Sequence, residues 1–273
     1  MSLETKRIKE LFGYARTLTK EQGVGVMAGR AVGFFKRRFF GKKARYLPSK
    51  QTLEAQRADA AARADGWPTI SILTPLYNTP PQFLQQFLDS VQAQTAPNWQ
   101  LVLVDASDDA HADVGETVRT RAAQDKRIVY AKIENKGIAA NTNEAAKLAA
   151  GEYLALADHP RVGHFKPDYA PEYLMAVNYI CHLAVFKKSL FDAVGGERPA
   201  CDGAQDHDLF LRLIDEMQRR DPAAKPLHIP QVLYYWRVHA ASTSGGTAAK
   251  PYVEKAAQKA VADHLAATGR QGR

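Results

Sequence analysis

Thr69-Ile-Ser-Ile-Leu-Thr-Pro-Leu-Tyr-Asn78 is the stretch of sequence that decides the fold. Its apolar and β-branched residues up to Thr74 predict a strand, which Pro75 ends. Thr79 is then expected to cap a helix that has Pro80 at its first position and apolar residues along one face. A strand followed directly by an amphipathic helix is the unit from which parallel sheets are built.

This unit of strand and helix recurs along the next part of the chain. Further strands are predicted at residues 101–104, 128–133 and 153–157, with helices at residues 114–124 and 138–150. Apolar strands that alternate with helices are typical of a mostly parallel sheet that is covered on both faces. The sequence therefore predicts an α/β, Rossmann-like fold with helices on both faces of the sheet.

Polar residues follow the predicted strands at the points where the strands end. Pro75, Tyr77 and Asn78 follow the first strand, Asp105 the second and Asp158 the fourth. In parallel sheets, ligands bind beyond the carboxyl ends of the strands, so these residues are the candidates for a binding site. The first turn has no glycine-rich dinucleotide fingerprint and the sequence has no phosphate loop with its lysine, which argues against an NAD-type enzyme.

Basic residues are concentrated at the N-terminal end of the chain. The net charge is +8, and residues 1–68 alone hold 15 Lys or Arg against 6 Asp or Glu. The remainder is close to neutral, so the core lacks the charge pattern of a nucleic-acid-binding domain. We expect residues 1–68 to form a basic helical extension and linker, and we expect no nucleic acid as a partner.

Residues 30–46 interleave aromatic rings with cations. Phe34, Phe35 and Phe39 stand among lysines and arginines, a composition that suits the interface of a membrane with anionic lipids. Two interpretations stay open: peripheral contact with a membrane, or a helix packed on the rest of the protein with its charges in solvent.

The sequence shows no feature of an exported or membrane-spanning protein. No apolar run approaches the roughly 20 residues of a transmembrane helix, and the first residues lack the apolar core of a signal peptide. Cys181 and Cys201 are the cysteines of the chain, and we expect them to be reduced. We expect a cytoplasmic protein, located at the inner face of the cell membrane if residues 30–46 bind lipid.

Several stretches together, in this order, resemble the family-2 glycosyltransferases of the GT-A fold. The resemblance is closest to bacterial enzymes of lipopolysaccharide and cell-surface polysaccharide assembly. It covers residues 69–243 and leaves the N-terminal extension out. The matching stretches are residues 70–78, 101–109, 135–143 with 151–158, 178–182, 202–209 and 234–239.

The resemblance implies a nucleotide site at the ends of the strands. By it, Pro75, Tyr77, Asn78 and Asp105 hold the base and ribose, and Gly137 and Asn143 shape the donor pocket. A tyrosine ring can stack on a base, and a carboxylate can accept hydrogen bonds from a ribose or an imide. Alternatively, Tyr77 is a turn aromatic that only packs.

The metal site that the resemblance implies is incomplete in this chain. Asp158 matches the first carboxylate of an Asp-x-Asp motif that holds Mg²⁺ or Mn²⁺, and His239 matches a histidine that GT-A enzymes often aim at the metal. Here Pro160 stands where the second carboxylate is expected. The following residues resemble a stretch that the family places later, which indicates an internal deletion between Asp158 and Phe165.

Asp206 matches the catalytic base of the family, with Gln205 in place of the usual preceding glutamate. In an inverting transfer, such a base takes the proton of the acceptor hydroxyl as its oxygen attacks the sugar. Alternatively, Asp206 is an N-cap that follows Gly203.

The sequence therefore predicts a basic extension at residues 1–68, a nucleotide-sugar-binding half at 69–158, an acceptor-side half at 159–250 and a C-terminal helix at 251–273. The expected function is transfer of a sugar from a UDP- or dTDP-type donor to a glycan or lipid-linked acceptor. The alternative is a catalytically impaired nucleotide-binding relative that lacks a complete metal site, and a weaker third is nucleic-acid binding by the basic extension. The expected site is a crevice with the strand ends on one wall and Asp206 and His239 on the other.

Overall fold

The computed structural model describes residues 48–63, 66–156, 166–181, 183–229 and 252–270. Its strands β1 to β5 comprise Ile70–Leu76, Trp99–Asp105, Ile128–Lys132, Tyr153–Leu156 and Ala184–Lys187. Its helices α1 to α8 comprise Lys50–Ala62, Pro81–Gln92, Ala112–Gln124, Ile138–Lys147, Pro171–Ala176, Lys188–Ala193, Gln205–Arg220 and Tyr252–Ala267. The basic segment of residues 30–46 lies outside the described residues. In the part that is described, no helix combines the length and the apolar character that crossing a bilayer requires.

The strands form one sheet in the order β3-β2-β1-β4-β5. The first four strands are parallel, and β5 runs antiparallel to β4. The register places Leu76 of β1 opposite Asp105 of β2, and Asp105 opposite Lys132 of β3. The carboxyl ends of three neighbouring strands therefore lie level with one another, with Asp105 in the middle.

Successive side chains of β2 enter two hydrophobic cores on opposite faces of the sheet. Leu101 and Leu103 pack with apolar residues of α2 and α3, whereas Val102 and Val104 pack with apolar residues of α4 and α7. All four side chains are fully buried. Because strand side chains alternate between faces, a strand that is apolar at every position must be covered on both sides. The predicted α/β class, with helices on both faces, is confirmed.

The local prediction for the turn after β1 is wrong in two details. Pro75 does not end the strand but pairs with Val104 inside β1, beyond the last described partner in β4. Thr79 does not cap α2: Pro80 is the N-cap residue, Pro81 opens the helix, and no side chain caps it. The reason is steric, because a residue before a proline is pushed towards extended backbone, so Pro80 cannot take a helical conformation before Pro81.

Candidate functional site

Asn78 ties the loop after β1 to the loop after β2. Its backbone N–H donates to Ser107 Oγ at 2.9 Å, and its side-chain amide both donates to Asp108 Oδ2 at 2.8 Å and accepts from the Asp108 N–H at 3.1 Å. The backbone of Asn78 is left-handed, with φ of 47°, a conformation that asparagine tolerates better than most residues. Tyr77, which precedes it, is 56% exposed. The loops thus form a fixed rim that carries one exposed aromatic ring.

Asp105 lies beneath this rim with only 1% of its surface exposed. Its carboxylate accepts hydrogen bonds from the Ser107 N–H at 2.9 Å, the Tyr130 hydroxyl at 3.0 Å and Lys132 Nζ at 3.3 Å. Burial by itself raises the pKa of Asp105, but the Ser107 and Tyr130 hydrogen bonds and the Lys132 charge bring it below its ordinary value. Asp105 is therefore a buried anion that orients the rim from below.

Sequence reasoning missed the partners of Asp105. Tyr130 and Lys132 alternate along β3 with residues that face the other side of the sheet, and Lys132 is its last residue. The available signal was that one predicted strand ends in Asp105 and the next ends near Lys132. This signal depends on the register of the two strands, which the sequence does not give.

Gly137 lies at the N-terminus of α4, on the edge where β3 ends. Its φ of 91° is disfavoured for other residues, and a Cβ there would lie 2.3 Å from Asp202 Oδ2. The Asp202 carboxylate accepts a hydrogen bond from the Ala139 N–H at 3.0 Å. It thereby satisfies one of the backbone N–H groups that have no partner within the helix at its N-terminus. The contact brings the segment before α7 to the carboxyl edge of the sheet.

Asn143 faces the turn before α7. Its side-chain amide donates to the Glu197 carbonyl at 2.7 Å and accepts from the Glu197 N–H at 2.8 Å. Gly196 packs so closely here that a Cβ would lie 2.5 Å from Asn143 Oδ1. Asn143 thus holds the backbone of Glu197 in place.

Asp206 lies in the first turn of α7. The helix begins at Gln205 with Ala204 as its N-cap, so the alternative that Asp206 is the N-cap is wrong. The Asp206 carboxylate accepts from Asn178 Nδ2 at 2.9 Å and from the His207 N–H at 2.8 Å. It lines a cavity of about 540 Å³, which also contacts α5 and α8. The side chain predicted as the base therefore lies at a cavity wall.

Asp208, on the same helical turn, has a structural role. Its buried carboxylate accepts from Arg198 Nε at 3.0 Å and from Arg212 Nε at 2.9 Å. Burial raises the pKa of Asp208, but the two guanidinium groups lower it below its ordinary value. Arg212 also donates to the carbonyls of Val194 and Gly196, which fixes α7 to the turn that carries Glu197.

Glu197 is a buried acid that the sequence prediction did not single out. It is 3% exposed, and its Oε2 has no hydrogen-bond partner. Burial, followed by the charge of Asp206, raises the pKa of Glu197 to about 8, against a smaller lowering by a hydrogen bond with Thr142. Asn143 fixes the backbone of Glu197, and Arg212 fixes the carbonyl of the preceding Gly196, so this acid is held where the charge of Asp206 acts on it.

The predicted metal ligands are not among these residues. Asp158 and His239 lie outside the described residues. Within the described ranges, no group of three His, Cys, Asp or Glu side chains is arranged to hold a metal ion. The described residues alone therefore do not fit a Mg²⁺ or Mn²⁺ site.

Comparison with known proteins agrees with this fold. Residues 71–159 match the family described as glycosyl transferase family 2. The uncharacterized protein y4gI of Sinorhizobium fredii is 33% identical over 259 residues, covering 80% of this chain and 28% of the relative. The O-antigen biosynthesis protein RfbC of Myxococcus xanthus is 28% identical over 249 residues, covering 77% of this chain and 19% of the relative.

This chain thus spans less than a third of the length of either relative. The alignment with y4gI spans 259 positions, whereas only 80% of this 273-residue chain takes part in it, which is fewer residues. The relative therefore has residues with no counterpart in this chain. Among solved structures, S. aureus TarS in complex with UDP-GlcNAc superposes with a TM-score of 0.53 at 15% identity, covering 72% of this chain and 66% of that chain. Residues 71–159 thus match glycosyl transferase family 2, and the described part of the chain has the GT-A fold.

Proposed function

We propose that the protein transfers a sugar from a nucleoside diphosphate sugar to an acceptor hydroxyl, with inversion at the anomeric carbon and with Asp206 as the general base. The observation that carries the proposal is the position of Asp206 on a cavity wall, in a segment that Asp202 anchors at the N-terminus of α4. That helix begins on the edge of the sheet where β3 ends, next to Asp105.

In the proposed reaction, Asp206 accepts the proton of the acceptor hydroxyl as the hydroxyl oxygen forms a bond to the anomeric carbon. The bond between that carbon and the diphosphate oxygen breaks, and the nucleoside diphosphate leaves. Asn178 donates to Asp206 Oδ2 and thereby fixes the orientation of the carboxylate. This positioning matters because a base acts only within hydrogen-bond reach of the proton that it removes.

The nucleotide is proposed to bind on the rim formed by the loops after β1 and β2. Tyr77 is the exposed ring there, and Pro75 lies two residues before it in β1. Asn78 and Asp105 hold the loops in place through their hydrogen bonds with Ser107. A UDP-type donor is favoured by the fold neighbour TarS, which is described in complex with UDP-GlcNAc. A role in polysaccharide assembly is favoured by RfbC, which is named an O-antigen biosynthesis protein.

A divalent ion on Asp158 and His239 is proposed from the family resemblance. The incomplete motif Asp158-His159-Pro160 favours a second candidate function, a nucleotide-binding relative with impaired catalysis. UDP binding without any turnover of a UDP-sugar would support this second function. Contact of residues 30–46 with the inner face of the cell membrane remains part of the proposal.

The role of Tyr77 is testable by titration calorimetry with UDP. Tyr77→Ala is expected to weaken UDP binding by about fivefold to 150-fold, since stacking of a base on an aromatic ring contributes about 1–3 kcal/mol. Tyr77→Phe keeps the ring and is the matched control, with an affinity close to that of the wild type. Equal UDP affinities for all three proteins would remove Tyr77 from the nucleotide site.

A further inference from the structure

Glu197 is buried in a place that does not stabilise a charge on its carboxyl. Only 3% of its surface is exposed, and among the described residues its Oε2 has no hydrogen-bond partner. An ionised carboxyl with an unpaired oxygen is costly there, because burial removes the water that would otherwise solvate the charge. The fold therefore accommodates the neutral, protonated form of Glu197 better than the anion.

The two groups that favour an anion at Glu197, Thr142 and Arg212, are already engaged elsewhere. Thr142 Oγ1 donates its single hydrogen to the Ile138 carbonyl at 2.8 Å. The Arg212 guanidinium donates to the Asp208 carboxylate at 2.9 Å and to two backbone carbonyls at 2.8 Å. Neither group is therefore free to neutralise a charge on Glu197.

The remaining charges that act on Glu197 are acidic, and they lie on the segment that carries the proposed base. Asp206 raises the pKa of Glu197 more than Asp202 does. Asp202 also accepts a hydrogen bond from the Ala139 N–H at the start of α4, and Asp206 lines the cavity. An ionised Glu197 would therefore add a third carboxylate to this part of the site.

Glu197 is joined directly to the residues that are proposed to shape the donor pocket. Asn143, one of these residues, forms hydrogen bonds with both backbone groups of Glu197, at 2.7 and 2.8 Å. Gly196 fits against the same side chain so closely that a Cβ would lie 2.5 Å from Asn143 Oδ1. Because the backbone is fixed in this way, a change of pH is expected to change the charge of Glu197 and not its position.

We propose that Glu197 controls the binding of the donor through its charge: a nucleoside diphosphate binds while the Glu197 carboxyl is neutral and is repelled when that carboxyl is ionised. The inference rests on the proposed function, in which the donor pocket lies beside Asn143. A diphosphate is itself an anion, and like charges in a buried site repel strongly because little water screens them. Glu197 takes no proton from the acceptor in this account, and it acts on the donor only through its charge.

The test measures the affinity of the full chain for UDP by titration calorimetry between pH 7 and about pH 9.5. The wild type is expected to lose at least about tenfold in affinity over this range, because the pKa of Glu197 is about 8 and only the neutral form is competent. Circular dichroism at each pH checks that the protein stays folded. The titration of UDP itself is the same for every variant, so it cancels in the comparison.

Two substitutions remove the ionisable group in different ways. Glu197→Gln keeps the shape and a polar side chain, whereas Glu197→Met places an apolar group of similar length in the buried site. Both variants are expected to bind UDP with nearly the same affinity at every pH. Glu134→Gln removes an exposed acid from the segment before α4 and is the matched control, with the same loss of affinity as the wild type.

The outcomes separate this inference from the proposed function. A loss of affinity that both Glu197 variants abolish and Glu134→Gln retains supports the inference. UDP binding by the wild type that does not weaken above pH 8, or that weakens equally in the Glu197 variants, would overturn it and leave the proposed function intact. Absence of UDP binding at pH 7 would contradict the proposed function itself, and this inference with it.

Discussion

Asp206→Asn is expected to lower the turnover of a UDP-sugar by about 10²–10⁴-fold, the usual contribution of general base catalysis. Asparagine has nearly the same shape and can still contact Asn178, but its amide cannot take the proton of the acceptor hydroxyl. UDP affinity is expected to stay within about twofold of the wild type, since Asp206 faces the cavity proposed for the acceptor and not the proposed nucleotide rim. Steady-state transfer assays and calorimetry measure the two quantities.

Asp221→Asn provides the control for this variant. Asp221 follows the last residue of α7 and is exposed, so the substitution removes a carboxylate at the other end of the same helix. Its turnover is expected to match the wild type. If Asp206→Asn also retained full turnover, the base would have to be a different residue, and the proposed mechanism would be wrong.

Glu197→Gln is expected to have a higher free energy of unfolding than the wild type, and this difference is expected to grow as the pH is raised from 5 to 8. The pKa of Glu197 is about 8 in the folded protein, against 4.5 as its ordinary value. Between these values the unfolded chain releases a proton that the folded chain keeps, so the wild type loses stability with rising pH by up to about 1.4 kcal/mol per unit. Glutamine stays neutral, and the variant does not incur this loss.

The groups around Glu197 set the direction of this effect. Burial raises its pKa most, the charges of Asp206 and Asp202 raise it further, and Thr142 and Arg212 lower it. Denaturant unfolding at several pH values measures the difference, with Glu134→Gln as an exposed control. Below pH 4.5 the two proteins should respond to pH alike, and a constant difference between pH 5 and 8 would show that Glu197 is ionised in the folded state.

The fold was largely predictable because its signals are local. The side chains of β2 pack alternately into two hydrophobic cores, so the strand has to be apolar at every position. This pattern is visible in residues 101–104 alone. The ends of the elements were less predictable. Pro75 continues β1 because β1 pairs with β2 as far as Leu76, which is a tertiary fact that the local sequence does not contain.

The site was predictable only where one residue type carries the chemistry. Asp206 was predicted as the base by resemblance, but its hydrogen-bond partner Asn178 is 28 positions away, and the bond between them depends on the fold. The same holds for Asn143 and Glu197, which are 54 positions apart. Glu197 was missed because a glutamate in a glycine-containing turn is ordinarily exposed, and only the packing of α4 and α7 around it buries it.

The most direct test of the account is the crystal structure of the full chain with UDP bound. The account predicts the uracil ring on Tyr77 and the diphosphate directed towards the N-terminus of α4, in one crevice that Asp206 also faces. The opposite result is UDP bound on a surface from which Asp206 points away. In that arrangement no acceptor hydroxyl could reach both the base and the donor sugar, and the proposed transfer reaction would be excluded.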